Sequence, residues 1–179
     1  ADAWQHPDLY HMDAQAGAPP DDFAVSGQNW GFPTYNWERM QADGFTWWKQ
    51  RFEQMSYYFD AFRIDHILGF FRIWSIPMHA VEGILGRFVP AIPVHINEFQ
   101  ARGISFDHHR FTQPFIHENV LWELFGYDNE LVKKEFLQTD GNGHYTLKSA
   151  FATQRQVEQY FHTLEKDEQH EKVKQGLYN

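Results

Sequence analysis

A helical pattern that runs directly into a strand pattern is the feature that most limits how this chain can fold. After Asp43, which suits a helix N-cap, apolar and aromatic side chains recur every three or four residues as far as Phe59. This spacing predicts an amphipathic helix. Residues 60–66 follow without a break and predict a short buried strand. Because a helix followed at once by a strand is typical of α/β proteins, we predict the α/β fold class.

The predicted strand would place two opposite charges side by side. Successive side chains of a strand point to opposite faces, so Arg63 and Asp65 share one face and the apolar side chains at 62 and 64 share the other. In a parallel barrel the charged face would point inward at the end of the strand, where barrel enzymes place their reactive groups. A neighbouring cation favours the ionised carboxylate that a nucleophile must be. The same spacing also fits a structural ion pair that fixes the end of a strand.

Composition and charge exclude several classes of protein. The chain has 179 residues, of which 42% are hydrophobic, enough for a packed core. Its 15 Lys+Arg and 24 Asp+Glu give a net charge of −9, which argues against a nucleic-acid partner held by its phosphates. No segment approaches the roughly 20 apolar residues of a membrane helix, so we expect no membrane partner. The chain has no cysteine, which excludes disulfides and is compatible with a cytoplasmic location.

The first 37 residues predict a long loop. They are rich in proline and glycine, and the pair Pro19-Pro20 disfavours a helix there. Ordered loops of this length are uncommon in compact proteins and are usually functional. The sequence opens on Ala1 without an initiator methionine or a signal peptide, so we expect a piece of a larger protein.

The second half of the chain predicts short helices and one brief strand. Helices are expected over residues 94–101, 114–125, 129–137 and 149–173. Gly126 is expected to end the second of them. The turn signal Asp140-Gly141-Asn142-Gly143 precedes the expected strand over 145–147.

Two motifs resemble one known family. Residues 62–77 read FRIDHILGFFRIWSIP and resemble the nucleophile region of the 4-α-glucanotransferases, the amylomaltase or disproportionating-enzyme family of glycoside hydrolases. Upstream, residues 17–23 read GAPPDDF and residues 27–35 read GQNWGFPTY, and both are similar to the active-site loop of that family. The motifs stand in the family's order, with a tryptophan-rich helix between them.

The resemblance implies the roles of six residues. Asp65 matches the catalytic nucleophile, Arg63 the residue that orients and ionises it, and His66 a contact to the sugar in the donor site. The other three match residues that line the glucan path, with a stacking face on the tryptophan: Asp21, Gln28 and Trp30. No cofactor and no metal is implied.

The implied reaction moves glucosyl or glucan units between α-1,4-glucans. The resemblance gives maltose or maltodextrin as donor and a glycogen-like, starch-like or maltodextrin chain as acceptor. Two displacements at the anomeric carbon would retain its configuration.

The resemblance also implies a (β/α)₈ TIM barrel of which this chain supplies a fragment. Residues from about 85 onward resemble the long insertion of the larger family members, including the plant cytosolic ones. We therefore predict that residues 1–84 are part of the catalytic barrel and that residues 85–179 are a mostly helical insertion within it.

Two carboxylate motifs of the family are not found in this sequence. The general acid/base and the transition-state stabiliser have no match in their surroundings, and four glutamates qualify by residue type alone: Glu82, Glu98, Glu118 and Glu123. A retaining mechanism needs two carboxyl groups about 5–5.5 Å apart. The isolated chain is therefore expected to be inactive, while the larger protein is an active transferase.

One alternative function is a non-catalytic carbohydrate-binding module. Its binding surface would use the aromatic side chains Trp4, Trp30, Trp47 and Trp48. The helical spacing of Trp47 and Trp48 with Phe52 and Met55 favours a place in the core instead.

A second alternative is a histidine-rich metallohydrolase. Its ligands would come from the cluster Asp107, His108, His109 and His117. The tripeptide lacks the companion carboxylate motifs of such enzymes, and the remaining histidines show no ligand-type pairing on a helix.

Overall fold

The structure is a computed structural model that describes residues 2–139, 141 and 143–179. The chain divides into two compact units, Ala1–Ala91 and Ile92–Asn179. This division rests on contacts within each unit and does not identify a barrel or an insertion, so the predicted boundary between residues 84 and 85 stays a prediction.

A four-stranded antiparallel sheet lies at the centre of the first unit. The strands of this unit are β1 (Tyr10–His11), β2 (Ala14–Ala18), β3 (Gln28–Asn29), β4 (Thr34–Tyr35), β5 (Ile73–Pro77) and β6 (Arg87–Val89). The central sheet has the order β3-β2-β5-β6, and β1 pairs with β4 separately. The α-helices of the first unit are α1 (Asp2–Gln5), α2 (Trp37–Ala42) and α3 (Thr46–Ser56). Buried apolar side chains form the core: Leu9, Ala16, Met40, Ile76 and Ala80.

The predicted loop over residues 1–37 is therefore wrong for much of its length. Strand β2 is built from Ala, Gln and Gly, which lack the branched and aromatic side chains of typical strands. Small residues are required there because a Cβ at Gly17 would collide with the backbone oxygen of Gln28 and with the side chain of Ile76. The close approach of the strands explains a sequence that resembles a loop.

The predicted amphipathic helix is present but shorter. Helix α2 ends at Ala42 with Asp43 as its C-cap, and α3 then spans Thr46–Ser56, three residues short of Phe59. Asp43 still serves the start of α3, because its Oδ1 accepts the Thr46 N–H at 3.1 Å. No residue of α3 is fully buried, and Trp47 and Trp48 are half-buried rather than core residues.

The predicted buried strand over residues 60–66 is wrong. Residues 61–64 have no regular structure, and Phe62 and Ile64 are 49% and 40% exposed. A parallel barrel strand needs a neighbour on each side, and no strand among the described residues pairs with this segment.

Six helices and a small sheet form the second unit, as far as the structure describes it. The helices are α4 (Ile96–Ala101), α5 (His108–Thr112), α6 (Glu118–Phe125), α7 (Asn129–Phe136), α8 (Gln154–His162) and α9 (Glu168–Tyr178). The strands are β7 (Ile116–His117), β8 (Leu137–Thr139) and β9 (His144–Leu147), in the antiparallel order β7-β9-β8. The core contains Leu121, Phe125, Val132, Phe136, Leu137, Val157, Phe161, Val173 and Tyr178.

Two of the expected helices of this unit differ clearly in their bounds. Helix α6 begins after residue 117 rather than at 114, because Ile116 and His117 pair with β9. The expected helix over 149–173 is two helices, α8 and α9, and each has its own N-cap. Gly126 ends α6 with a φ of 56°, as expected. Of the predicted turn, Asp140 and Asn142 lie outside the described residues.

The coarse fold class is confirmed as a mixture of helices and sheets. Every strand pair among the described residues is antiparallel, so the parallel barrel and the mostly helical insertion stay predictions. No helix in the described part of the chain combines the length and the apolar character that crossing a membrane requires.

Candidate active site

A cavity of about 810 Å³ lies within the first unit. Four of the six predicted site residues line it: Trp30, Arg63, Asp65 and His66. Eight further aromatic side chains contribute to its wall: Tyr10, Phe32, Tyr35, Trp37, Trp48, Phe52, Phe62 and Phe70. Aromatic rings beside a few polar groups are typical of a site for a sugar, whose flat apolar faces stack on them.

Arg63 and Asp65 form an ion pair at this cavity. The Arg63 Nη2 lies 3.3 Å from the Asp65 Oδ1, and the two side chains are 88% and 90% exposed. The pair is not the end of a buried strand, and an exposed pair of this length contributes little to folding. The exposed Asp65 carboxylate is accessible to a ligand and keeps a cation beside it.

His66 and Trp30 meet at the same cavity. The two rings are perpendicular at 82°, with centroids 5.1 Å apart. The Trp30 Nε1–H donates a hydrogen bond of 3.0 Å to the Gln28 Oε1, and the other side of the indole stacks on Phe32 at 5.8 Å. Gln28 therefore contacts the site through Trp30 rather than as a lining residue.

Asp21 is not among the residues that line the cavity. Its Oδ1 accepts the backbone N–H groups of Phe23 at 2.9 Å and of Ala24 at 2.7 Å. These bonds close a turn whose apex, Phe23, is 97% exposed. Asp21 thus shapes the loop before β3 in the structure.

Sequence reasoning missed another polar group on the cavity wall. Asp2 and Arg51 form an ion pair of 2.9 Å, and the Arg51 guanidinium lies 5.0 Å from the Trp47 ring centre. Burial, together with Tyr35 and Asp2, raises the pKa of Tyr10 to about 12. Because these residues are far apart in the sequence and belong to no motif, the sequence contains no signal that could have joined them.

Apart from Asp65, the described carboxyl group at this cavity is that of Asp2, which is paired with Arg51. Among the residues that the structure describes, no glutamate lines the cavity. Two of the four candidate glutamates have other roles: Glu98 accepts the His95 N–H at the start of α4, and Glu118 binds Lys133 and the Tyr145 hydroxyl. Hydrogen bonds from Lys133 and Tyr145 lower the pKa of Glu118, which keeps it ionised rather than able to donate a proton.

The histidine cluster does not form a metal site in the described part of the chain. No group of three or more His, Asp or Glu side chains there could hold a metal ion. Asp107 accepts the Arg110 N–H at 3.0 Å just before α5, and His108 Nδ1 lies 3.3 Å from the Thr112 hydroxyl within it, so both side chains serve this helix. The side chain of His109 lies outside the described residues.

Sequence comparison places nearly the whole chain in one family. Residues 1–177 match the model of the family Glyco_hydro_77, described as 4-alpha-glucanotransferase. The 4-alpha-glucanotransferase DPE2 of Oryza sativa subsp. japonica is 44% identical over 156 residues, which are 87% of this chain and 16% of that protein. The 4-alpha-glucanotransferase of Aquifex aeolicus is 40% identical over 97 residues, 51% of this chain and 20% of that protein. The chain thus spans a fifth or less of the length of these relatives.

A solved structure gives a weaker similarity. Amylomaltase from Streptococcus agalactiae in complex with acarbose aligns with a TM-score of 0.47 and 22% identity, over 99% of this chain and 43% of that one. A TM-score below 0.5 does not establish a shared fold. The sequence match over residues 1–177, together with the two motifs at one cavity, identifies the chain as a member of the Glyco_hydro_77 family of 4-α-glucanotransferases.

Proposed function

We propose that this chain supplies the nucleophile side of a 4-α-glucanotransferase active site. The observation that carries the proposal is the Arg63–Asp65 pair, which lies exposed at an aromatic cavity together with Trp30 and His66. A carboxylate that attacks the donor sugar must be ionised and accessible, and Asp65 is exposed with a cation beside it. Family membership supports the same reaction class.

The first displacement forms a covalent glucosyl-enzyme. An oxygen of the Asp65 carboxylate attacks the anomeric carbon of the donor, and the bond from that carbon to the 4-oxygen of the next sugar breaks. The leaving oxygen takes a proton from a general acid, which another part of the full-length protein must supply. Arg63 stabilises Asp65 in its charged form and holds its orientation.

The second displacement transfers the sugar. The 4-hydroxyl of an acceptor glucan attacks the same carbon, and its proton passes to the group that acted as general acid in the first displacement. The ester bond to Asp65 breaks, and Asp65 leaves as a carboxylate. Two inversions retain the configuration. His66 contacts the donor sugar and Trp30 supplies a stacking face, while Gln28 and Asp21 belong to the loop that forms this side of the glucan path.

The proposal also covers where this chain lies in the complete enzyme and what that enzyme acts on. Residues 1–84 are part of a (β/α)₈ barrel, residues 85–179 are an insertion within it, and the complete enzyme acts in the cytoplasm on maltose, maltodextrin and a glycogen-like or starch-like acceptor. The similarity to the rice enzyme over 87% of this chain supports the link to the larger family members. Neither a binding module nor a metallohydrolase is favoured by the family match.

The test uses the full-length protein that contains this chain. Purified wild type and Asp65→Asn are incubated with maltose and glycogen, and released glucose is measured. Asparagine has nearly the same shape but cannot act as the nucleophile, so we expect release by the wild type and almost none by the variant. Equal release by both would contradict the role of Asp65, and no release by either would contradict the proposed activity.

A further inference from the structure

We propose that Trp30 and Gly69 clamp the ring of His66, that Gln28 holds Trp30 in place, and that this clamp positions the neighbouring nucleophile Asp65. Gln28, Trp30 and Gly69 are positioning residues in this account. The inference rests on the proposed function, because it assigns roles around the same carboxylate. It adds to that function a mechanical link between the loop at β3 and the segment that carries Asp65.

One side of the clamp is anchored to the central sheet. The Trp30 backbone N–H donates to the Ala16 oxygen at 3.0 Å, which fixes the start of the side chain against β2. The Gln28 Oε1 accepts the indole N–H at 3.0 Å and so restricts the rotation of the ring. The indole then presents itself to His66 at 5.1 Å and 82°.

The second contact of the His66 ring is a glycine, Gly69. A Cβ built on Gly69 would lie 3.0 Å from the Cδ2 of His66 and 3.7 Å from its Nε2. The imidazole therefore packs against Gly69, and a side chain at position 69 would require the ring to shift by a few tenths of an ångström. The Gly69 N–H also donates to the His66 backbone oxygen at 2.9 Å, which closes a turn around the same residue.

The clamp matters because His66 has a backbone conformation that residues with a Cβ seldom adopt. Its φ of 50° places it in the left-handed region, which side chains with a Cβ rarely occupy. Such a conformation persists when surrounding contacts fix it. His66 follows Asp65 directly, so a change in its backbone would rotate the peptide bond next to the carboxylate and move the Arg63–Asp65 pair.

The competing account gives Gln28 a direct contact with the glucan. In that account its amide would bind sugar hydroxyls, and both its oxygen and its NH₂ group would matter. In the clamp, the oxygen alone matters, because it accepts the indole N–H. A substitution that keeps an acceptor oxygen but removes the NH₂ group separates the two accounts.

The experiment compares Gln28→Leu, Gln28→Glu, Trp30→Phe and the double variant Gln28→Leu/Trp30→Phe in the full-length protein. Glucose release from maltose in the presence of glycogen gives kcat and KM for each. Gln41→Leu is the matched control, because Gln41 is an exposed glutamine of α2 away from the cavity.

We expect Gln28→Leu to lower kcat about fivefold with little change in KM. The variant loses the hydrogen bond that holds Trp30, so Asp65 is less well oriented for attack. Gln28→Glu should keep near wild-type kcat, since its carboxylate still accepts the indole N–H. Trp30→Phe lacks that N–H, so adding Gln28→Leu to it should lower kcat no further.

Three results would overturn the clamp while the proposed function stands. They are a loss in Gln28→Glu as large as in Gln28→Leu, a change confined to KM, and single effects that multiply in the double variant. Failure of the proposed function is recognised separately, because wild type would then release no glucose or Asp65→Asn would release as much as wild type. Either of those results would overturn the clamp as well.

Discussion

Asp65 and Arg63 show how much of a site a short motif can identify. Their spacing indicated a charged pair, and the resemblance added His66 and Trp30, all of which line one cavity in the structure. The motif could not locate Asp2 and Arg51, which are 49 positions apart and come together through folding. Asp21 and Gln28 matched the loop motif, but their contacts in the structure are to the loop itself.

Arg63 is expected to matter for turnover and not for folding. Both members of its ion pair are almost fully exposed, so Arg63→Met should leave the free energy of unfolding nearly unchanged. Without the cation beside Asp65, kcat should fall about 10²-fold, a typical loss for one electrostatic group of an active site. Steady-state kinetics and urea denaturation of the same preparation test both parts.

Arg63→Lys is the matched control for this prediction. It keeps the positive charge but loses the fork of donors, so its kcat should lie between wild type and Arg63→Met. Equal kcat in all three proteins would contradict the role of Arg63.

Glu118 gives a pH dependence of stability in the second unit. Hydrogen bonds from Lys133 and Tyr145 lower its pKa below the ordinary 4.5, so its contribution is present above that value and is lost as the pH falls through the lowered pKa. Its partner Lys133 affects stability at high pH. The pKa of Lys133 is raised, so its contribution is lost only as the pH rises through that raised value.

Replacing Glu118 should therefore flatten the acid side of the stability profile. We expect Glu118→Gln to lower the free energy of unfolding at pH 7 and to reduce the further loss between pH 4.5 and more acidic solutions. Urea denaturation across this range measures it, with the exposed Glu123→Gln as the control. An unchanged acid slope in Glu118→Gln would count against the pairing seen in the structure.

At the scale of elements, the sequence predicts correctly those helices that are stabilised mainly by their own residues. Helices α4, α6 and α7 were predicted to within a few residues because their periodicity and caps are local. The strand over 60–66 was wrong because a strand depends on neighbours that a pattern cannot supply. Strand β2 was missed for the opposite reason, since its small residues serve close packing and give no strand signal.

The division between α8 and the preceding segment was available in the sequence. Thr153 and Gln156 form a capping box, in which each side chain binds the backbone N–H of the other residue. This motif sets the start of α8 at Gln154 instead of residue 149, where the predicted helix begins. Asp167 caps the start of α9 by accepting the His170 N–H at 2.6 Å, which separates α9 from α8.

Loss of the Thr153 cap should destabilise the second unit. We expect Thr153→Ala to lower the free energy of unfolding by about 1 kcal/mol, because one N–H at the start of α8 loses its acceptor. Thr153→Ser keeps the hydroxyl and should remain close to wild type. Urea denaturation of the three proteins tests this, and equal losses in both variants would point to packing of the methyl group instead of capping.

For the whole molecule, the sequence predicted the family and a mixed helix and sheet composition, and both are confirmed. The barrel and the insertion depend on strand neighbours that the described residues do not provide, so they could not be derived from local patterns. Apolar side chains around Asp65 remain exposed in the structure: Phe62, Ile64, Ile67 and Leu68.

The isolated chain is expected to bring no complete active site. Among the described residues, the cavity that holds Asp65 has no glutamate, and its other carboxyl group, that of Asp2, is paired with Arg51. A retaining mechanism needs a second carboxyl group that can act as the acid. We therefore expect the chain of 179 residues to release no glucose from maltose with glycogen, whereas the full-length protein does so. Turnover by the purified chain alone would contradict this account of its carboxylates.

The covalent intermediate offers the most direct test of the central claim, that Asp65 is the nucleophile of a retaining glucanotransferase. The full-length protein is denatured rapidly during turnover of maltose, digested, and its peptides are analysed by mass spectrometry, with Asp65→Asn as the control. The account predicts a peptide that carries one glucosyl unit as an ester on Asp65, absent from the control. A glucosyl ester on a different carboxylate, or active turnover with none on Asp65, would contradict it.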